Sequence, residues 1–363
     1  MNLKLTYDTS DHGILDSLAL LESRLYTART LIPEGYEPFF RQSARYESAH
    51  TSTAIEGNVL DRDAAMAVLR EGADPDQPPE LEIVNLSEAY ELMASLAEDK
   101  STRIDQGIIR TMNSMVLKGL PGAPARNRGR YRVGPSLIVD ASTRAVRYRP
   151  PQPQWVPDLM ATLADNINVW LDEAAGPVAA ALAHFGIVSV HPFEDGNGRT
   201  ARLVADMVLN LKDSSADGMI STSKAFYNEL PGYYQALRDA QGENFREEVD
   251  ATAFVRYHTD ALATAATNLE DAATHFGRIL SMFEQDAAHV MNERQANGLM
   301  FMSVIGPIST SRYATLTESS QATALSDLGA LVEAGYVMRL GSGKLTRYDL
   351  SDDVERRLTA AIN

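Results

Sequence analysis

Twelve consecutive residues, His191-Pro-Phe-Glu-Asp-Gly-Asn-Gly-Arg-Thr-Ala-Arg202, concentrate groups able to act on a phosphate. Pro192 cannot continue the apolar helix before it, so His191 falls at that helix's end. Glu194-Asp-Gly-Asn-Gly198 is strong turn sequence and feeds an amphipathic helix starting near Arg199. A Gly-Asn-Gly run ahead of a helix N-terminus aims several backbone N–H groups at one point, with the helix dipole behind them, which suits phosphate. Arg199 and Arg202, three apart, can face the same anion. Asp195 is a hard carboxylate suited to Mg2+ shared with phosphate oxygens. His191, with an ordinary pKa of about 6.5, can take a proton from an attacking hydroxyl. Singly each is ordinary: a lone helical His is usually a core residue, and Gly-Asn-Gly usually only a turn. Together, and in this order, they describe phosphoryl or nucleotidyl transfer.

The elements that must position these residues are mostly helices. Residues 1–120 carry apolar positions at helical spacing in LDSLALLESRLYTARTL, MAVLR and ELEIVNLSEAYELMASLAED, with a turn-rich break, GADPDQPPE, at 72–80. From 121 the texture changes to Pro, Gly and two short β-type runs, SLIV and AVRY, which predict a hairpin at roughly 136–148. Helical pattern resumes at Trp155 and runs to about 212, with one interruption at HPFEDGNGR, and further helices reach about Asn292. The last ~70 residues read as short helices and then a two-stranded ribbon, YVMRLGSGKLTRYDL, about a Gly-Ser-Gly turn.

Composition bounds the rest. The chain has 363 residues, 44% of them apolar, enough for one large core or two to three ordinary ones. Thirty-three Lys+Arg against 49 Asp+Glu give a net charge of −16, which argues against a surface that grips nucleic acid or an anionic membrane as a whole. The absence of cysteine excludes disulfides, zinc–thiolate sites, iron–sulfur clusters and thiol catalysis. The opening MNLKLTYDTSDHG has no apolar h-region and no stretch approaches a membrane span, so the expectation is a soluble, cytoplasmic protein without membrane contact. Against the acidic background, Arg126, Arg128, Arg130, Arg132, Arg144, Arg147 and Arg149 face a single acid, Asp140, within 126–149. That island either draws in a triphosphate or acidic target or pairs with the acidic remainder of the chain. GSGK at 341–344 lacks the spacing of a phosphate-binding Walker loop, and His184, seven residues before His191, has no third metal ligand nearby.

From His191 to Arg202 the chain matches the pattern H-x-F-x-[DE]-G-N-G-R-x-x-R at every defined position, and so resembles the Fic family. The resemblance covers nearly all the chain. It implies a mainly α, Fic-type helical fold with a β-hairpin flap, the loop joining two central helices, and transfer of AMP from ATP to a protein hydroxyl. Carried over by position, His191 would deprotonate a Ser, Thr or Tyr hydroxyl of the target protein. Phe193 would anchor the loop, and Asp195 would hold Mg2+ on the α- and β-phosphates. Gly196, Asn197 and Gly198 would form the anion hole, with Thr200 and Ala201 in the same turn. Arg199 would help bind the phosphates and Arg202 would engage the γ-phosphate. The hairpin at 134–148 would align a target segment by strand addition. Tyr234, in GYYQAL, stands where the family often presents an adenine-side contact, with Tyr233 as its substitute.

Far upstream, Ser52-Thr-Ala-Ile-Glu56-Gly-Asn58 resembles the family's inhibitory sequence [ST]-x-x-x-E-[GN]. Ser52 and Glu56 lie four apart on one helical face, before a Gly-Asn stop. By itself this reads as a helix C-terminus with a surface Glu. With the downstream loop it implies a Glu56 carboxylate on Arg202, in the place of the γ-phosphate.

The expected domains are an N-terminal helical region over 1–115, a catalytic core over 116–285 and a small C-terminal winged helix-turn-helix domain over 290–363. Such domains commonly bind DNA. Seven Lys+Arg against eight Asp+Glu within 290–363 make docking or homodimerisation the favoured use, with DNA left open. Three rivals to AMP transfer stand: removal of AMP, transfer of another nucleotide such as UMP, and a DNA-binding regulator.

Overall fold

The computed structural model describes residues 2–74, 76–123, 126–139, 145–287, 291–343 and 346–362. Its elements begin with β1 (Lys4–Thr6), α1 (His12–Leu31), α2 (Glu37–Ile55), α3 (Arg62–Glu71), α4 (Pro78–Leu96) and α5 (Gln106–Val116). A hairpin follows, β2 (Ile138–Val139) and β3 (Val146–Tyr148), then α6 (Val156–Glu173), α7 (Gly176–Val190) and α8 (Asn197–Leu211). Next come α9 (Ser223–Asn228), α10 (Leu230–Gln241), β4 (Glu248–Asp250) and α11 (Thr252–Ala287). The chain closes with α12 (Glu293–Ile305), α13 (Thr310–Leu316), α14 (Gln321–Glu333), β5 (Val337–Leu340), β6 (Arg347–Leu350) and α15 (Asp352–Ile362). No helix among the described residues is long and apolar enough to cross a membrane.

Two compact units form: Met1–Tyr26 with Phe40–Leu269, and Thr27–Phe39 with Glu270–Asn363. In the first, α7 and α8 make the centre. GPVAAALAHFGIVSV is apolar on every side, and every residue of α7 is accordingly buried. Its small residues allow close packing; a Cβ on Gly186 would run into the Leu163 side chain of α6. α8 is buried almost throughout too, but carries a polar stripe of Arg199, Arg202, Asp206 and Asn210. Those residues recur at helical spacing and must therefore be satisfied by neighbours rather than by water. Lys100 Nζ donates to Asn210 O at 2.6 Å, setting a cation on the negative end of α8. The neighbours α3 and α5 start on aspartate caps, Asp61 and Asp105, whose carboxylates accept from Ala64 N and Ile108 N.

Two details depart from the expected pattern. The stretch from Trp155 to 212 is interrupted twice: besides the loop after His191, Ala174 and Ala175 separate α6 from α7. Pro177 explains the extra break, because in a continuous helix it would lack the N–H for Glu173 O and its ring would clash with that carbonyl. The second central helix begins at Asn197 rather than Arg199. The flap hairpin lies where the β-type runs place it, with Ile138 opposite Tyr148 and Val139 opposite Val146 in antiparallel register. Its connection, 140–144, with Asp140 and Arg144, lies outside the described residues. β1 runs parallel to β4, Leu5 opposite Val249.

The second unit packs Phe39 against Phe276 and Phe301, ring centroids 5.3 and 5.2 Å apart. Asn292 and Gln295 form a reciprocal capping box on α12, and Ser309 and Ser320 cap α13 and α14. Arg294 pairs with the buried Asp327 at 2.6 Å, joining α12 to α14. β5 and β6 pair antiparallel, Val337 opposite Leu350. The exposed positions of α14 are Gln321, Ala322, Leu325, Ser326, Gly329, Ala330 and Glu333, with no cation among them.

Candidate active site

His191 closes α7 in the left-handed conformation, φ 50° and ψ 58°. For a residue with a Cβ this costs about 1 kcal/mol, so the surroundings must hold it. The His191 N–H donates to Ile187 O at 2.9 Å, and the His191 carbonyl accepts from Arg132 Nε at 2.8 Å. The turned backbone sends the imidazole into a cleft of about 480 Å3. Burial, reinforced by the charge of Arg132, pushes the imidazole pKa down to about 4, against the pull of Glu56. It is thus an unprotonated base at neutral pH, and its Nδ1 has no hydrogen-bond partner.

The loop beyond is stapled by Asn197, whose side chain donates to Phe193 O and accepts from Phe193 N, both at 2.9 Å. Phe193 itself is buried. Gly196 has φ +78°, and a Cβ there would come within 3.0 Å of Asn113 Nδ2. Thr200 and Ala201 are buried in the first turn of α8, the Thr200 hydroxyl accepting from Asn113 at 3.3 Å. Asp195, with a side chain 60% exposed, accepts from Gly196 N at 2.5 Å and from Arg199 Nη2 at 3.2 Å.

Arg202 is fully buried, and its partners come from the far end of α2. Arg202 Nε donates to Ser52 Oγ at 2.7 Å, and Nη2 to Ser52 O at 2.9 Å and Glu56 Oε1 at 2.8 Å. Glu56 follows the last residue of α2, and Gly57, at φ +96°, turns the chain away. Burial works against the Glu56 charge, but the attraction and hydrogen bond of Arg202 outweigh it and hold the carboxyl below its usual value. The carboxylate lies against Gly198 so closely that a Cβ there would collide with Glu56 Oε1. Arg202 Nη1, Arg199 Nε and Arg199 Nη1 are buried without a hydrogen-bond partner.

The cleft is floored by Glu56, His191 and Gly198 and walled by Val139 and Arg147 of the flap and by Tyr234 and Gln241 of α10. Its size is that of small-ligand sites. Tyr234 keeps its ring partly open to the cleft while its hydroxyl donates to Ile55 O at 3.3 Å. Tyr233 also reaches the cleft but is fully buried, stacked on Phe226 with its hydroxyl 3.0 Å from His184 Nε2. His184 is thus a packed core residue. Asp195 is a single carboxylate with open space beside it, a donor set that suits Mg2+ carrying waters and substrate phosphates. Among the described residues no three acids or histidines gather to hold a metal without such phosphates.

Several residues around the site escaped sequence reasoning. Asn113, buried on α5, donates to Asp195 O at 2.9 Å and accepts from Gly129 N at 3.0 Å, tying loop to flap approach. An asparagine on the apolar face of a helix was the available signal. Arg132, read only as part of a basic island, is buried and donates to His191 O, Gly134 O at 3.0 Å and Pro151 O at 2.6 Å. Glu82 faces Arg199 Nη1 at 3.4 Å. Asp206, one turn beyond Arg202, accepts from Tyr90 Oη at 3.0 Å. Of the basic island, Arg126, Arg130, Arg147 and Arg149 are exposed, and Arg128 Nε donates to Ala123 O at 2.7 Å.

Residues 103–209 match the Fic/DOC family. The chain is 30% identical over 205 residues to "Protein adenylyltransferase Fic" of Nematostella vectensis, a match covering 55% of this chain and 45% of that protein. Over 165 residues it is 30% identical to "Protein adenylyltransferase fic-1" of Caenorhabditis elegans, covering 44% of this chain and 30% of the relative. The matches thus span less than half the length of these relatives. In fold it is similar to a Fic family protein from Desulfovibrio desulfuricans, with TM-score 0.60 at 23% identity over 95% of this chain and 97% of that one. It is likewise similar to Fic-1 of C. elegans, with TM-score 0.53 at 23% identity over 70% of each chain.

Proposed function

We propose that this chain is a protein adenylyltransferase. A Ser, Thr or Tyr oxygen of a target protein attacks the α-phosphorus of ATP, the bond from that phosphorus to the bridging oxygen breaks, and pyrophosphate leaves. His191 takes the hydroxyl proton, a role supported by its neutral imidazole facing the cleft. The backbone N–H groups of 196–198 and the unpartnered nitrogens of Arg199 and Arg202 take the phosphates. Asp195 would hold Mg2+, which supplies charge neutralisation on the phosphate oxygens. Tyr234 borders the nucleoside side, and the flap aligns the target segment.

One observation carries the reading: an anion already sits in the loop, and it is the chain's own Glu56, paired with Arg202 and pressed on Gly198. A γ-phosphate would need that same cation, so Glu56 would inhibit by competing for it. The test is incubation of wild type, Glu56→Gly and Glu56→Gly/His191→Ala with Mg2+ and ATP radiolabelled at the α-phosphate. Glu56→Gly is expected to raise label on protein at least ~10-fold, and adding His191→Ala to remove it by roughly 10²–10⁴-fold. Label unchanged in Glu56→Gly would end the inhibitory assignment; label undiminished without His191 would end the base assignment.

A further inference from the structure

Arg199 is addressed from outside its own loop. Its side chain is only 4% exposed, and Nη1 lies 3.4 Å from Glu82 Oε1 while Nη2 lies 3.2 Å from Asp195 Oδ1. Glu82 stands near the start of α4, and its other oxygen accepts from Asn58 Nδ2 at 2.8 Å. The same amide donates to Pro79 O at 2.8 Å, and Asn58 Oδ1 accepts from Leu60 N at 3.1 Å, so Asn58 is fixed at three points. Asn58 follows Glu56 by two residues. One short stretch therefore acts on both loop cations: Glu56 directly on Arg202, and Asn58, through Glu82, on Arg199.

We propose that Glu82 is a second acidic competitor that occupies Arg199 against the phosphates and sets the chain's affinity for a nucleoside triphosphate. The inference deepens the adenylyl-transfer reading and rests on it. The two loop cations, Arg199 and Arg202, face three carboxylates, Glu56, Glu82 and Asp195, so their charge is already matched before any phosphate arrives. Removing Glu56 frees one cation and leaves the other doubly matched. A glutamate that served to aim Arg199 would do so through directional hydrogen bonds. Here Arg199 Nε and Nη1 have no hydrogen-bond partner, and the 3.4 Å approach of Glu82 is charge attraction. Arg199 is nearly dry and Glu82 about a quarter exposed, so the pair is less screened than a surface one.

The test compares wild type, Glu56→Gly, Glu82→Gln, Glu56→Gly/Glu82→Gln and Glu56→Gly/Glu82→Ala. Glutamine removes the charge and still accepts from Asn58; alanine controls for any contact the amide keeps. Calorimetric titration with Mg·ATP and steady-state labelling are run on each, with thermal melting as the check on folding. In the Glu56→Gly background either Glu82 change is expected to lower Kd and KM for ATP about fivefold, with kcat within about twofold. Unchanged or weaker ATP affinity in both double variants overturns the proposal. ATP binding that responds to Glu82 with no label transferred would sink the transferase reading and keep the clamp. No ATP binding in any of the five would overturn both.

Discussion

At the residue scale, the site turns on how two ordinary side chains are made unusual by their surroundings. His191 is partly buried and faced by Arg132, and both disfavour the imidazolium. A base titrating at about 4 stays free at neutral pH. The acid limb of kcat/KM for Glu56→Gly should therefore lie well below the about 6.5 of a solvated histidine. Removal of Glu56, which raises the value, moves the limb further down. Activity level from about pH 7 to about pH 5 is the expected profile; a tenfold loss across that range would mean that another group is the base. Glu56 is the converse case, a half-exposed acid whose charge is favoured because it pairs with the fully buried Arg202.

At the element scale, α8 carries a polar stripe built into a buried helix, and neighbouring residues satisfy it only in part, leaving Arg199, Arg202 and Asp206 each with an unpartnered polar atom. Burial raises the Asp206 carboxyl from 3.8 to about 7, against hydrogen bonds from Ser221 and Tyr90 and the charge of Arg202. A raised acid holds its proton in the fold while the unfolded chain releases it. Its stabilisation is present below about pH 4 and lost as pH rises through about 7. Asp206→Asn, which still accepts from Tyr90, should thus stabilise the protein at pH 8 relative to pH 5 by on the order of 2 kcal/mol more than in wild type. Urea melts of both proteins at the two pH values measure this; equal differences would show that Asp206 is ionised in the fold.

Much of this scale was legible in the sequence. The loop from His191 to Arg202, the hairpin runs and the helical spacing are local patterns, and local patterns are what a sequence displays. Asn113, Arg132, Glu82 and Asp206 were not legible, because each acts through a partner tens of residues away and looks ordinary in its own window. Arg132 is the instructive case: composition placed it in a basic island, while packing buries it and spends its donors on four carbonyls, of His191, Gly134, Pro151 and Val190. Arg132→Ala strands those carbonyls and frees the left-handed His191, so a loss of about 2–4 kcal/mol is expected by chemical denaturation. Arg132→Lys should recover part of the stability and less of the transfer, since one ammonium cannot reach all four. Full transfer in the lysine protein would remove the positioning role.

At the scale of the whole molecule, a chain of net charge −16 exposes arginines where a target would dock. Arg126, Arg130 and Arg149 are exposed, Arg147 lines the cleft, and Asn127 Nδ2 donates to Glu194 at 2.7 Å, placing this stretch beside the loop. Such a field favours acidic partners and repels basic ones. With Glu56→Gly protein, hydroxyl peptides flanked by Asp and Glu should be labelled about tenfold faster than Lys-flanked ones at low salt, the gap narrowing above ~0.3 M. Equal rates for both sets would make the arginines a matter of solubility alone.

The position of Glu56 in the chain has a consequence for biosynthesis. Glu56 precedes its cation by 146 residues. At ordinary rates of about 5–20 residues per second, a ribosome releases this carboxylate roughly 7–30 seconds before the arginine it neutralises. If Glu56 inhibits as proposed, the order of translation supplies the inhibitor before the loop, and a nascent chain truncated before Arg202 has nothing yet to restrain. On the same proposal, a glutamate encoded after Gln241, the last residue that lines the cleft, would leave each new molecule with a complete cleft and no inhibitor for an interval.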